Sequence, residues 1–269
     1  MKNSYAYAFS AHSELILSET ANTRSQLYAL IDAGQLPDSG SLLRRHLAGQ
    51  ASDDLFAHTC AEAALAASPL LVQIGQKEEL SSRQIGLIDD GCLKKPIISY
   101  LQTKLSLAAL SQHLKTLLRI QTADADFLLR YTDPLLLGPI IQRLTPSQRA
   151  SFLMDIEHWW VTDHRGRLQD ICQQSITASP APLPLTFNAQ QIDALLEACA
   201  PCFMMAQLRN LDRDFSMQLN PAEQADFVFK ALEDASAQGI EDDSERAEWC
   251  LSRWLEKTST ATRKEKTSA

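Results

Sequence analysis

Two places in the chain bring together side chains that could do chemistry. Cys199-Ala-Pro-Cys202 has the spacing of a dithiol redox centre. Such a centre needs its first cysteine at a helix N-terminus after a strand, where the helix dipole lowers the thiol pKa. Here Cys199 falls late in a helix that starts near Asn188, at the opposite pole, and no second C-x-x-C or histidine pair is near enough to suggest a zinc site. The pattern predicts two buried structural thiols beside a proline kink. His158, Asp163 and His164, with Asp155 upstream, are the second set. The period of two would put both histidines on one strand face, yet Asp163-His-Arg-Gly166 reads as a turn, so a surface hairpin is expected in place of a metal site. The chain has no Gly-x-Ser-x-Gly elbow, no His-Glu-x-x-His and no glycine-rich phosphate loop. No catalytic residue, metal or cofactor is expected. The alternative, a small cytosolic hydrolase or thiol enzyme, would need a dispersed active site.

A third set carries polar groups at a corner. Phe127-Leu-Leu-Arg-Tyr-Thr-Asp-Pro134 is an apolar run whose one charge is Arg130, stopped by Asp133-Pro134. Proline fixes φ and holds the residue before it out of the helical region, so the strand ends there. Pro134 then suits the first position of a helix whose inward stripe is Leu136, Leu137, Ile140 and Ile141. A buried charge must be paired, so Arg130 and Asp133, beside Tyr131, are expected to fix this corner; the other reading places Arg130 on a partner surface. Trp159 and Trp160 are adjacent in a strand and face opposite sides, so one is expected to point away from the core as a partner anchor.

The elements that must position these residues alternate in the first half. Gln26–Ile31, Leu70–Ile74, Ile97–Leu101, Phe127–Tyr131 and the stretch from His158 to Thr162 read as strands. A helix lies near 40–46, and Leu107, Leu110, Leu114 and Leu117 repeat at helical spacing. Strand, helix and strand over 97–131 predict a right-handed βαβ unit. The expectation is an α/β lobe over 1–174, with a parallel or mixed sheet and covering helices, then a linker over 175–187 rich in serine, alanine and proline. An all-helical lobe over 188–257 follows. Thr145/Gln148, Asn188/Gln191 and Asn220/Glu223 are capping-box pairs, Gly239 can end the helix begun at Asn220, and Ala247, Cys250, Leu251 and Trp254 share one face. Residues 258–269 carry no large apolar side chain and are expected to be disordered.

Composition bounds the rest. The 269 residues, 45% of them hydrophobic, can fill a core, and 22% are charged with a net charge of -8, which argues against nucleic acid and anionic membranes. Mean hydropathy is -0.17, and no apolar run is long enough to span a membrane. Met1-Lys-Asn-Ser-Tyr-Ala-Tyr lacks the apolar stretch of a signal peptide, and six scattered cysteines fit reduced thiols, so a cytoplasmic protein is expected.

Arg130, Tyr131, Asp133 and Pro134, followed by Leu144, Pro146 and Gln148, resemble the most recognisable segment of the type VI secretion effector-adaptor chaperones, catalogued as domain of unknown function 4123. Tyr28-Ala-Leu-Ile-Asp32, Ser68-Pro-Leu-Leu-Val72, Trp159 ahead of Asp163 and Gly166, and Leu185-Thr-Phe-Asn-Ala-Gln190 agree in the same order, from about Gln26 to Asn210. Thr132 stands where that family usually has an aromatic residue, and Leu135 where a basic one often follows the proline. The resemblance implies a non-catalytic adaptor that binds a toxic effector and loads it onto the spike-tip protein of the secretion apparatus, without a cofactor.

Overall fold

The computed structural model describes residues 12, 16, 24–36, 40–74, 80–92, 96–173 and 177–267, of which 82 and 260–267 are described by backbone alone. The chain divides into two units, 1–196 and 197–269. The first begins β1 (Gln26–Ile31), α1 (Ser41–His46), β2 (Ser52–Asp54), β3 (Leu70–Ile74), α2 (Ser82–Gly91), β4 (Ile98–Thr103) and α3 (Leu107–Leu117). It continues β5 (Arg119–Gln121), β6 (Asp126–Leu128), α4 (Pro134–Arg143), α5 (Pro146–Phe152), β7 (Ile156–Thr162), β8 (Leu168–Asp170) and β9 (Leu185–Thr186). The unit boundary falls inside α6 (Ala189–Leu211).

Six strands form one sheet in the order β2-β3-β1-β4-β7-β8, and every neighbouring pair is antiparallel. This corrects the expected parallel or mixed sheet. Leu27, Ala29 and Ile31 of β1 pack with Val72 of β3, Tyr100 of β4, Trp160 of β7, Leu43 of α1 and Ile88 of α2. Their alternates Tyr28, Leu30, Leu71, Leu101 and Trp159 are buried as well. A sheet covered on both faces reads as unbroken apolar runs whichever way its strands point, and that pattern suggested parallel strands.

The expected βαβ unit is also corrected. After α3 the chain leaves the large sheet for a smaller one in the order β6-β5-β9, where β5 pairs antiparallel with β6 and parallel with β9. The strand expected over Phe127–Tyr131 shortens to β6, and the turn towards α4 begins at Tyr131. Both sheets are held by side chains of short edge strands or helix starts. Asp53 of β2 accepts from Ser111 Oγ at 2.5 Å and Lys115 Nζ at 3.0 Å on α3. Burial alone would raise the Asp53 pKa, but these two donors hold it below the usual carboxylate range.

The segment expected as a linker is packed over its described part, 177–187. Ala181 N–H donates to Ser147 C=O at 3.0 Å and Ala181 C=O accepts from Ser151 Oγ at 2.6 Å, while Leu185 and Phe187 are buried. Proline-rich composition removed amide donors here without removing apolar anchors, so composition alone misled.

The second unit is helical: the end of α6, α7 (Arg213–Gln218), α8 (Pro221–Ala237) and α9 (Asp243–Thr267). Met205, Leu208, Phe215, Val228, Ala231, Cys250 and Trp254 form its core, with Phe227, Leu232, Ala247 and Leu251 packed against them. The capping box of Asn220 and Glu223 starts α8, and Gly239 at φ 73° follows its end, where Ile240 N–H reaches Ala235 C=O. Asp242 Oδ1 accepts from the N–H groups of Ser244 and Glu245 and so caps the start of α9. The expected disordered tail is corrected for 258–267, where α9 continues; Thr258 and Ser259 hydroxyls donate back to Leu255 C=O. Residues 268–269 lie outside the described residues.

His113 on α3 is half-buried with Nε2 3.1 Å from Phe152 C=O, and desolvation lowers its pKa below 6.5 against the opposing pull of that carbonyl and Asp155. As pH falls below the unfolded value near 6.5, the unfolded chain takes up this proton first, so stability is lost as pH drops through the folded pKa. Thermal melts between about pH 7 and 5 should therefore show a falling midpoint, and His113→Gln should make the fall shallower. An unchanged slope in that variant would place the acid sensitivity elsewhere.

Candidate functional site

The corner after β6 gathers more of the candidate residues than any other described place. Asp133 is the N-cap of α4: its Oδ1 accepts from Leu135 N–H at 3.1 Å, and Pro134 fills the first helical position. Leu136, Leu137, Ile140 and Ile141 are buried as the spacing required. Arg130 places Nη2 3.7 Å from Asp133 Oδ2 and 3.6 Å from Asp32 Oδ2, with its own side chain 55% exposed. Asp32 is buried at the end of β1. Its backbone N–H donates to Ile97 C=O at 2.8 Å, and its Oδ2 accepts from Gln35 Nε2 at 2.6 Å. One exposed guanidinium thus faces two carboxylates from distant parts of the chain. This is an electrostatic clamp between β1 and the corner, and it leaves the outer side of Arg130 open to solvent.

Tyr131 anchors the corner from beneath. Its ring is fully buried, edge-on to Phe152 at 5.5 Å and to Trp159 at 6.1 Å, and its hydroxyl donates to Leu114 C=O at 2.7 Å. Leu114 lies in the last turn of α3, where carbonyls lack intrahelical donors, so the phenol completes that helix end. Sequence reasoning gave Asp32 no part in this corner. The signal that could have found it is a lone carboxylate closing the apolar run Tyr28-Ala-Leu-Ile.

The other candidates are not brought to the corner as a reactive set. Trp159 and Trp160 are both buried, which corrects the expectation that one ring faces solvent. The Trp159 Nε1–H donates to Ser99 Oγ at 3.0 Å, while Trp160 joins the opposite-face core and stacks on His158 at 5.0 Å. His158 Nδ1 lies 2.7 Å from Asp170 Oδ2. Asp163 forms the β7–β8 turn, accepting from Arg165 N–H and Arg167 N–H at Oδ1 and from Arg167 Nε at 2.8 Å, with Gly166 at φ 77°. No group of three or more metal-binding side chains occurs among the described residues. Cys199 is buried and Cys202 half-buried in the middle of α6, with Pro201 between them. The Cys172 thiol is pushed up to about 12 by burial and by Asp170, and Cys250 up to about 11 by burial, so both stay protonated near neutrality.

Gln148 gives the Leu144–Gln148 segment its role. Its Oε1 accepts from Thr145 N–H and Gln191 Nε2, and its Nε2 donates to Thr186 C=O at 2.7 Å. One buried amide therefore caps α5, holds β9 and meets the first turn of α6.

Residues 27–151 match the model of a family described as Domain of unknown function (DUF4123). No curated protein and no solved structure matches the chain.

Asp133→Ala removes the cap of α4 and one of the two carboxylates facing Arg130, and should cost about 1 kcal/mol, read as a melting midpoint lower by roughly 2–4 °C. Alanine in place of either Trp159 or Trp160 should cost about 3–5 kcal/mol, because each empties a packed site. Chemical denaturation of the two tryptophan variants measures this directly; a near-wild-type midpoint for either would show that its ring is not part of the core.

Proposed function

We propose that this protein is a non-catalytic adaptor that binds a toxic effector in the bacterial cytoplasm and loads it onto the spike-tip protein of a type VI secretion system. The observation that carries the reading is the family match over 27–151. That span takes in Tyr28–Asp32, Ser68–Val72, Arg130–Pro134 and Leu144–Gln148, the segments on which the resemblance to those adaptors rests. A second observation favours a binding role. Of the side chains that offered chemistry, His158 is engaged with Asp170 and Asp163 with Arg167, while Cys199 and Cys202 lie inside α6 away from its N-terminus, where the helix dipole does not lower a thiol pKa. No described helix is long and apolar enough to cross a membrane. Binding by surface complementarity, with handover driven by competing affinities, needs no reaction step.

The test is co-expression of the full chain with the toxin and the spike-tip protein encoded beside it, followed by affinity capture and a secretion assay. Capture of both, and loss of delivery of that toxin alone when the adaptor gene is deleted, is the expected result. Normal delivery in the deletion strain would refute the reading.

A further inference from the structure

β6 is the outer strand of the three-stranded sheet and, among the described residues, pairs only with β5. The phase of its ladder follows from the flanking bonds. Leu129 N–H donates to Leu118 C=O at 2.7 Å, and Thr122 N–H to Ala125 C=O at 2.9 Å. Bonded pairs alternate along an antiparallel ladder, so Ile120–Phe127 is bonded, while Arg119–Leu128 and Gln121–Asp126 are not. The N–H and C=O groups of Asp126 and Leu128 therefore face away from β5. The same phase aims the Gln121 carbonyl at the opposite neighbour, where it accepts from Phe187 N–H at 2.8 Å. The outer edge of β6 thus offers two backbone donors and two acceptors.

The side chains point the same way. Phe127, Ile120 and Leu185 lie in one row across the three strands. Ile120 is 3% exposed and Leu185 1%, but Phe127 is 50% exposed, so the apolar row is closed at β9 and open at β6. Leu128, on the other face, is 44% exposed. Edge strands are usually blunted by shortness, charge, proline or a bulge, and β6 is short, at three residues. Here the one charge, Asp126, is paired with Arg119 of β5, and large apolar residues fill the other two positions. Immediately downstream, buried Leu129 and Tyr131 and the Asp133 cap hold the end of the strand in place.

We propose that the β6 edge is a docking site for an extended segment of a partner protein, which adds as a fourth strand, exchanges backbone bonds with Asp126 and Leu128, and sets an apolar side chain against Phe127. The net charge of -8 opposes a second copy of the chain and favours a neutral or basic segment. This deepens the adaptor reading, and rests on it, by naming the surface and the form of what it holds.

Leu128→Pro is the discriminating variant. It deletes an outward donor while sparing every β5 bond, and proline is tolerated at such edge positions. The probe is a short synthetic peptide of alternating threonine and valine with a terminal lysine, and its control is the same peptide N-methylated at alternate amides. In the full-length wild type, amide exchange at Asp126 and Leu128 should slow about tenfold with the peptide and stay unchanged with the control. Leu128→Pro should weaken peptide binding about tenfold with a near-wild-type melt. If that variant fails to fold, Phe127→Asp, which keeps the backbone, should weaken binding similarly. Unchanged exchange at both residues, equal protection by the N-methylated control, or equal binding by the folded variants would overturn the proposal. So would protection that grows with protein concentration and tracks a dimer in sedimentation. In the co-expression assay, toxin capture by wild type but not by Leu128→Pro supports the edge. Equal capture by both sinks the edge and leaves the adaptor reading standing. No capture by wild type sinks the adaptor reading, and the peptide experiment then decides the edge alone.

Discussion

Tyr131 sets the constraint on which the sheet lobe depends. A phenol buried completely must find an acceptor for its hydroxyl, since an unmet donor in the interior costs on the order of 1–3 kcal/mol. The carbonyl of Leu114 at the end of α3 meets that need, and burial raises the Tyr131 pKa well above 10, so the hydroxyl remains a donor. The ring meets Phe152 of α5 and Trp159 of β7 edge-on, and those two stack at 5.8 Å. One side chain thereby ties two helices and the inner strand β7 to a loop. The direction of the chain entering α4, the reach of Arg130 to Asp32, and the end of β6 all follow from where Tyr131 is pinned.

Around that point the lobe is cross-linked by polar side chains that each do two things. Gln148 caps its helix and fixes β9, Asp163 folds a turn and holds Arg167, and Trp159 fills the core while donating to Ser99. These are the residues that carry the resemblance to the adaptor chaperones, and they are occupied with the scaffold. A residue held on several sides by its own chain is poorly placed to read a partner. Among the groups the scaffold presents without using, the β6 edge has exposed apolar side chains and one unpaired side.

What the sequence determined by itself was local. The caps at Thr145, Asn188 and Asn220 were legible because donor and acceptor lie within three residues and need no tertiary context. The stripe of α4, the Asp133-Pro134 corner, the Asp163 turn and the apolar face of α9 were legible for the same reason. The positions of β1, β3, β4 and β7 were legible too, from runs of apolar residues, whereas the short β2, β5, β8 and β9 were not.

Tertiary structure alone decided how those pieces meet. Strand direction was hidden because an antiparallel sheet covered on both faces has the same apolar runs as a parallel one, and Trp159 and Trp160 were both buried by that second cover. The segment 177–187 looked like a linker because of Pro180, Pro182 and Pro184, whereas hydrogen bonds at Ala181, Thr186 and Phe187 and the buried side chains of Leu185 and Phe187 bind it down. Asp32 and Arg130 are far apart in the chain, and nothing local pairs them; only the sheet brings the end of β1 beside the corner. Local hydrogen bonds are written in adjacent residues, but partners across a fold are selected by which apolar faces bury each other, and a single sequence records the faces without recording the match.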